Sequence, residues 1–194
     1  LSIDKMTSQP DPDLSSLSGL EKLDIKGFMS ISSVRGLSGL KELSIHNCNV
    51  DQADALSSLT GVERLTFYSV WNSQGNLRSL DFLKGMTGLK YADFTGNLDG
   101  TGWSGYNYLV EVYGDVSSIF NHQGLEELYL DNGKFEINFD KIKENPGLRV
   151  LSLRNMELHK NYYVASYGGM TSLWYEDLKL RAHKDILSRF PHLE

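Results

Sequence analysis

The sequence predicts an α/β fold wound as a curved, right-handed coil. Short parallel strands should line a concave face, with irregular or helical segments on the convex side. Three observations predict it. One phrase returns along the chain, as SLSGLEKLDI, GLSGLKELSI, SLTGVERLTF, GMTGLKYADF, HQGLEELYL and NPGLRVLSL. Its first anchors are Leu20, Leu40, Val62, Leu89, Leu125, Leu148, Leu173 and Leu193, which lie 20, 22, 27, 36, 23, 25 and 20 residues apart by subtraction. A glycine precedes six of these eight anchors, at Gly19, Gly39, Gly61, Gly88, Gly124 and Gly147. Self-similarity at such a period marks a repeat architecture, in which each unit buries its apolar face only against its neighbours.

Each phrase places apolar residues at relative positions 1, 4 and 6, as in Leu20, Leu23 and Ile25, and again in Leu40, Leu43 and Ile45. Positions 4 and 6 alternate with polar residues, the pattern of a strand with one buried face. Upstream of each strand the apolar step changes to three. Leu14, Leu17, Leu20 and Leu23 form one such series, and Val34, Leu37, Leu40 and Leu43 another. A step of three suits a tight coil or a 3₁₀ turn, which buries one edge per turn.

This pattern resembles the leucine-rich-repeat family, L-x-x-L-x-L-x-x-N/C, over almost the whole chain. The resemblance implies a solenoid of about eight strands. The step-of-three series with short coils is similar to bacterial internalin-type repeats. HNCNVDQADAL resembles the cysteine-containing subtype for one repeat, and the Ile-Pro step of the plant extracellular subtype is absent. The chain departs from the family at relative position 9, where Asn or Cys bonds backbone groups between coils. Here that position holds Phe28, Cys48, Val70, Asn97, Gly133 and Met156. Most turns after the strands are therefore expected to close by apolar packing.

Residues 1–194 read as a single repeat domain with insertions near 69–82, 97–123 and 161–172. The insertions carry Trp71, then Trp103, Tyr106, Tyr108 and Tyr113, then Tyr162, Tyr163 and Tyr167. Insertions in a repeat array emerge as loops and are often functional. Leu1 and Ile3 share the register of Leu23 and Ile25, so the chain is expected to open inside a strand. Phe190 and Leu193 match Leu17 and Leu20, the start of another phrase. Terminal repeats need caps, and neither end reads as one, so further repeats of the same array are expected at both ends.

A net charge of −6 disfavours nucleic acid or an anionic membrane as partner, since both reward basic patches. No apolar stretch approaches the length of a membrane span, so no membrane insertion is expected. Cys48 is the only cysteine, which excludes an intrachain disulfide and a cysteine metal cage. No Asn-x-Ser/Thr sequon occurs. These absences favour a bacterial surface, secreted or cytoplasmic setting over a disulfide-capped animal ectodomain.

With positions 4 and 6 buried, positions 3, 5 and 7 of each strand point outward. The early copies are polar and mixed in sign there. The middle copies gather Arg64, Tyr68, Tyr91, Asp93, Tyr129, Asp131 and Arg154. Tyr and Arg most often carry interface energy, because they combine area with directed hydrogen bonds. The expected function is non-catalytic recognition of a protein or peptide by this face, with Trp103 of the 97–123 insertion beside it. The alternative is a structural spacer, or a regulatory repeat region attached to another domain of the same polypeptide. No catalytic, metal or cofactor site is expected. His46 and Cys48 fall on opposite faces, His122, His159, His183 and His192 show no ligand spacing, and GLSGL and GMTGL punctuate repeats rather than cradle phosphate. NLDGTGWSG alternates Asn97, Asp99 and Thr101 in the manner of a calcium loop but lacks the distal bidentate Glu, and reads as a Gly-rich turn.

Overall fold

The computed structural model describes residues 1–5, 10–27, 30–46, 48, 52–68, 79–96, 110–138, 141–154, 157–158, 173–174 and 191–192. Its centre is a seven-stranded sheet in which every neighbouring pair is parallel. The strands are β1 (Ser2–Lys5), β2 (Lys22–Gly27), β3 (Glu42–His46), β4 (Arg64–Tyr68), β5 (Tyr91–Asp93), β7 (Glu127–Tyr129) and β9 (Val150–Ser152). They lie side by side in chain order. β6 (Val110–Asp115), β8 (Gly133–Glu136), β10 (Glu157–Leu158) and β11 (Leu173–Trp174) form a second sheet, described below.

The predicted register holds across the main sheet. Leu23, Leu43, Leu65, Ala92, Leu128 and Leu151 stand opposite one another in successive strands, and Ile3, Ile25, Ile45 and Phe67 form a second row. A parallel sheet needs a long return between strands. Here the return is made by short 3₁₀ helices: η1 (Ile31–Val34), η2 (Ala53–Ser58), η3 (Asp81–Gly85) and η4 (Ser117–Asn121). The step-of-three leucines continue them as i→i+3 bonds. Leu37 N–H donates to the Val34 carbonyl at 3.3 Å and Leu40 N–H to Leu37 at 3.1 Å; Leu59 and Val62 repeat the pattern at 2.9 and 3.2 Å. Each such turn aims one apolar side chain at the strands, and Leu37, Leu40, Leu59 and Val62 are all buried.

Successive units are tied by one recurring hydrogen-bond pair. The carbonyl just before each strand accepts two N–H groups of the next unit. Lys41 and Glu42 donate to Glu21 at 2.7 and 2.9 Å, Glu63 and Arg64 to Lys41, Lys90 and Tyr91 to Glu63, Glu126 and Glu127 to Lys90, and Arg149 and Val150 to Glu126. This close approach explains the recurring glycines. A Cβ on Gly39 would lie 2.5 Å from the Ser18 carbonyl oxygen, and one on Gly88 would lie 2.8 Å from that of Thr60. Gly19, in the first phrase, has nothing within 4 Å.

One continuous core joins strands and 3₁₀ helices, from Leu14 through Ile25, Ile31, Ile45, Leu56, Phe67 and Phe94 to Leu128 and Leu148. The first units fill it with Leu, Ile and Val. From β4 onward it turns aromatic: Phe67 stacks on Phe94 with ring centroids 5.2 Å apart and meets Phe82 at 6.1 Å.

Two features differ from the expectation. Beside the main sheet, where irregular or helical segments were expected, β6, β8 and β10 pair in parallel as a second sheet. Within the 97–123 segment, β6 and η4 occupy residues 110–115 and 117–121. Leu173, expected to anchor the seventh phrase, pairs antiparallel with Leu158 through β11. The eighth strand expected after it lies outside the described residues, as do most of the 69–82 and 161–172 insertions. Among the described residues no helix is long and apolar enough to cross a membrane.

Candidate recognition face of the sheet

The face of the main sheet turned away from the core carries the side chains between the buried rows. Parallel pairing aligns them into three ladders across the strands. Lys22, Glu42, Arg64, Tyr91, Glu127 and Val150 form one, and Asp24, Ser44, Thr66, Asp93, Tyr129 and Ser152 the next. Asp4, Lys26, His46 and Tyr68 run along the third.

Over β2 and β3 the face closes upon itself by charge. Lys22 pairs with Glu42 at 2.8 Å, and Lys26 with Asp24 at 3.3 Å. His46 Nε2 lies 3.3 Å from Asp24 Oδ1. That oxygen is buried and accepts no well-directed hydrogen bond. Burial lowers the His46 pKa below its ordinary 6.5; the Asp24 carboxylate opposes the shift and Lys26 adds to it.

Beyond β3 the face becomes aromatic. The His46 and Tyr68 rings lie 4.6 Å apart at an interplanar angle of 30°. The Arg64 guanidinium covers the Tyr91 ring at 3.6 Å from its centroid, and Tyr91 meets Tyr129 at 5.4 Å. Register makes these contacts, because Arg64 and Tyr91 are direct cross-strand neighbours and Tyr129 stands one pair further along. Such ring and cation–π contacts are worth about 0.5–1.5 kcal/mol each and hold the side chains in place. Tyr68, at 39% exposure, is among the most exposed large apolar side chains described. Burial raises the pKa of Tyr68, Tyr91 and Tyr129, and the carboxylates of Asp93 and Glu127 raise them further. All three remain neutral phenols that can donate a hydrogen bond.

Two acids of this zone face inward in function. Asp93 is buried, and accepts from the Tyr91 hydroxyl at 3.2 Å and the Thr95 N–H at 2.9 Å. Asp131 is also buried, and accepts from the Ser152 hydroxyl at 2.7 Å, the Arg154 N–H at 2.7 Å and the Arg154 guanidinium at 2.9 Å. They orient Tyr91 and Arg154 rather than offering free carboxylates. The structure thus brings Arg64, Tyr68, Tyr91 and Tyr129 together, with Asp93 among them, and sets Asp131 and Arg154 at the β9 end. Trp103 lies outside the described residues, as does the NLDGTGWSG turn.

Other chemistry-bearing groups are engaged in the fold. Cys48 is fully buried, its thiol donates to the carbonyls of His46 at 3.3 Å and Ile25 at 3.5 Å, and burial pushes its pKa up to about 12. It therefore ties two neighbouring units together. Asn132, one residue earlier in its own phrase, does the same from a left-handed backbone at φ 53°, donating to the Gly96 carbonyl at 3.1 Å. Sequence reasoning missed Asn145, which is fully buried and donates to the carbonyls of Phe120 at 3.0 Å and His122 at 3.1 Å. The signal was present, because Leu17, Leu37, Leu59 and Met86 stand three before their anchors while His122 and Asn145 replace them in the next two units. A cleft of about 500 Å³ between η3 and η4 has an apolar lining of Leu80, Leu83 and Ile119. Its polar members are largely committed, Lys84 to Asp81 at 2.5 Å and His122 Nε2 to the Met86 carbonyl at 3.1 Å. Among the described residues no group of three His, Cys, Asp or Glu side chains is placed to hold a metal ion. Compared with protein-family models and with curated proteins, the chain matches none.

Proposed function

We propose that the chain is a leucine-rich-repeat solenoid, and that the outward face of its sheet recognises a protein or peptide without catalysis. The observation that carries this reading is the cluster of Arg64, Tyr68, Tyr91 and Tyr129 on neighbouring strands, held by stacking and by internal hydrogen bonds. Recognition surfaces concentrate their energy in Tyr and Arg anchors whose conformations are set before binding. The repeat phrase, the i→i+3 turns and the hydrogen bonds between units support the solenoid. Arg154, held by Asp131, extends the surface to β9.

The spacer reading fits the other part of the sheet. Over β2 and β3 the charged side chains satisfy one another, and a face closed by its own ion pairs offers little to a partner. The test is to replace Tyr91, Tyr129 and Arg154 together by Ala. The variant should keep its unfolding transition cooperative and lose binding to peptides selected on the parent chain. Affinity equal to that of the parent would remove this face from recognition.

A further inference from the structure

The cations of the face differ in one respect. Lys22 is paired with Glu42, Lys26 with Asp24 and Arg154 with Asp131, while His46 lies against Asp24. Arg64 is exposed, and among the described residues it lies within ion-pair distance of no carboxylate. The acids around it are already committed: Glu42 to Lys22, Asp93 to Tyr91 and Thr95, and Glu127 to the Tyr129 hydroxyl at 3.0 Å. The Arg64 Cζ lies over the Tyr91 ring at 3.6 Å from its centroid, and a guanidinium stacked on a ring at that distance directs its in-plane N–H donors outward from the ring.

An edge-on guanidinium fits a carboxylate, which two parallel N–H···O bonds can grip. Tyr68 and Tyr129, further along β4 and β7 than the Arg64–Tyr91 pair, supply apolar surface and a neutral hydroxyl. The surrounding charge sets the number of anionic groups the face can take. Asp24, Asp93 and Glu127 lie on the same face, and the chain carries −6 overall, so a polyanion would meet repulsion where a single carboxylate would not. We propose that the face receives one exposed Asp or Glu side chain of a protein partner, gripped by Arg64, with an adjacent aromatic or aliphatic residue packed against Tyr68 or Tyr129. This assignment rests on the reading of the sheet face as a recognition surface.

The test uses the full chain, immobilised, to select from a displayed library of random-sequence peptides. Selected peptides are then synthesised, and their affinities measured in solution. Enriched peptides should share an Asp or Glu beside an aromatic or aliphatic residue. Changing that acid to its amide should weaken binding about tenfold or more, and Arg64→Gln should do the same to the parent peptide without adding to the loss for the amide peptide. Arg64→Lys keeps the charge but loses the stacked fork, and should restore only part of the affinity. Peptides that lose affinity with Tyr68→Ala or Tyr129→Ala, yet ignore both Arg64→Gln and the acid-to-amide change, would overturn the carboxylate assignment and leave the recognition face standing. A library yielding no peptide sensitive to Arg64→Gln or to either tyrosine would overturn both.

Discussion

The sheet from β1 to β3 and the sheet from β4 to β9 share one backbone ladder, yet they are finished differently on both sides. The first stretch packs Leu, Ile and Val beneath and a lattice of ion pairs above. The second packs Phe67, Phe94, Phe120 and Phe135 beneath, and Arg64, Tyr68, Tyr91 and Tyr129 above. The difference teaches that register and surface chemistry are separable here. Backbone pairing and the buried row propagate unchanged, while the outward residues vary strand by strand.

The largest expected effect that separates the two stretches concerns their acids. Asp131 has a side chain only 6% exposed, and accepts from the Ser152 hydroxyl, the Arg154 N–H and the Arg154 guanidinium. Asp131→Ala should lower unfolding stability by about 2 kcal/mol, because three charge-assisted hydrogen bonds to a buried carboxylate are lost. Asp24, whose side chain is 33% exposed, takes part in surface ion pairs. Asp24→Ala should cost less than about 1 kcal/mol. Urea unfolding of both variants makes the comparison, and equal losses would show that the two halves are not built differently at this face.

A smaller effect tests the glycines. Gly39→Ala drives a methyl toward the Ser18 carbonyl and should cost about 2 kcal/mol as overpacking. Gly19→Ala meets open space and should be neutral or slightly stabilising. Thermal unfolding of the pair would expose an error if the Gly19 variant lost as much as the Gly39 variant.

The smallest effect lies at the boundary between the stretches, at His46. Its folded pKa is below the ordinary 6.5, chiefly through burial. The folded state therefore binds this proton less readily than the unfolded chain. The associated stability is full above about pH 6.5 and is lost as pH falls through the folded pKa. An NMR titration of the His46 ring should give a midpoint below 6.5, and Asp24→Asn should move it lower still by removing the anion that opposes the shift. A midpoint that rises in the Asn variant would contradict the assigned cause.

Much of the main sheet was readable because a strand with one buried face repeats its pattern every second residue, and a register error would turn every side chain over. Leu23, Leu43, Leu65, Ala92, Leu128 and Leu151 are aligned as that periodicity requires. The second sheet was not readable. The short strands β8 and β10 follow main-sheet strands at once, and GKFE and EL carry too few residues to show a period. Pairing between units, not local pattern, makes them strands. On the face, periodicity placed Arg64, Tyr68, Tyr91 and Tyr129 outward, but it could not reveal that Asp93 and Asp131 are consumed by hydrogen bonds. An outward register position fixes direction, whereas exposure depends on which neighbours fold over it.

The claim that recognition belongs to the aromatic stretch is tested most directly by one paired affinity measurement. A peptide selected on the parent chain is titrated against Tyr68→Ala/Tyr129→Ala and against Lys22→Ala/Lys26→Ala, each first shown to unfold cooperatively. The account predicts a loss of about 30-fold or more for the tyrosine pair, as two anchors at about 1 kcal/mol or more each imply, and less than about threefold for the lysine pair. Equal losses, or a larger loss from the lysine pair, would contradict it.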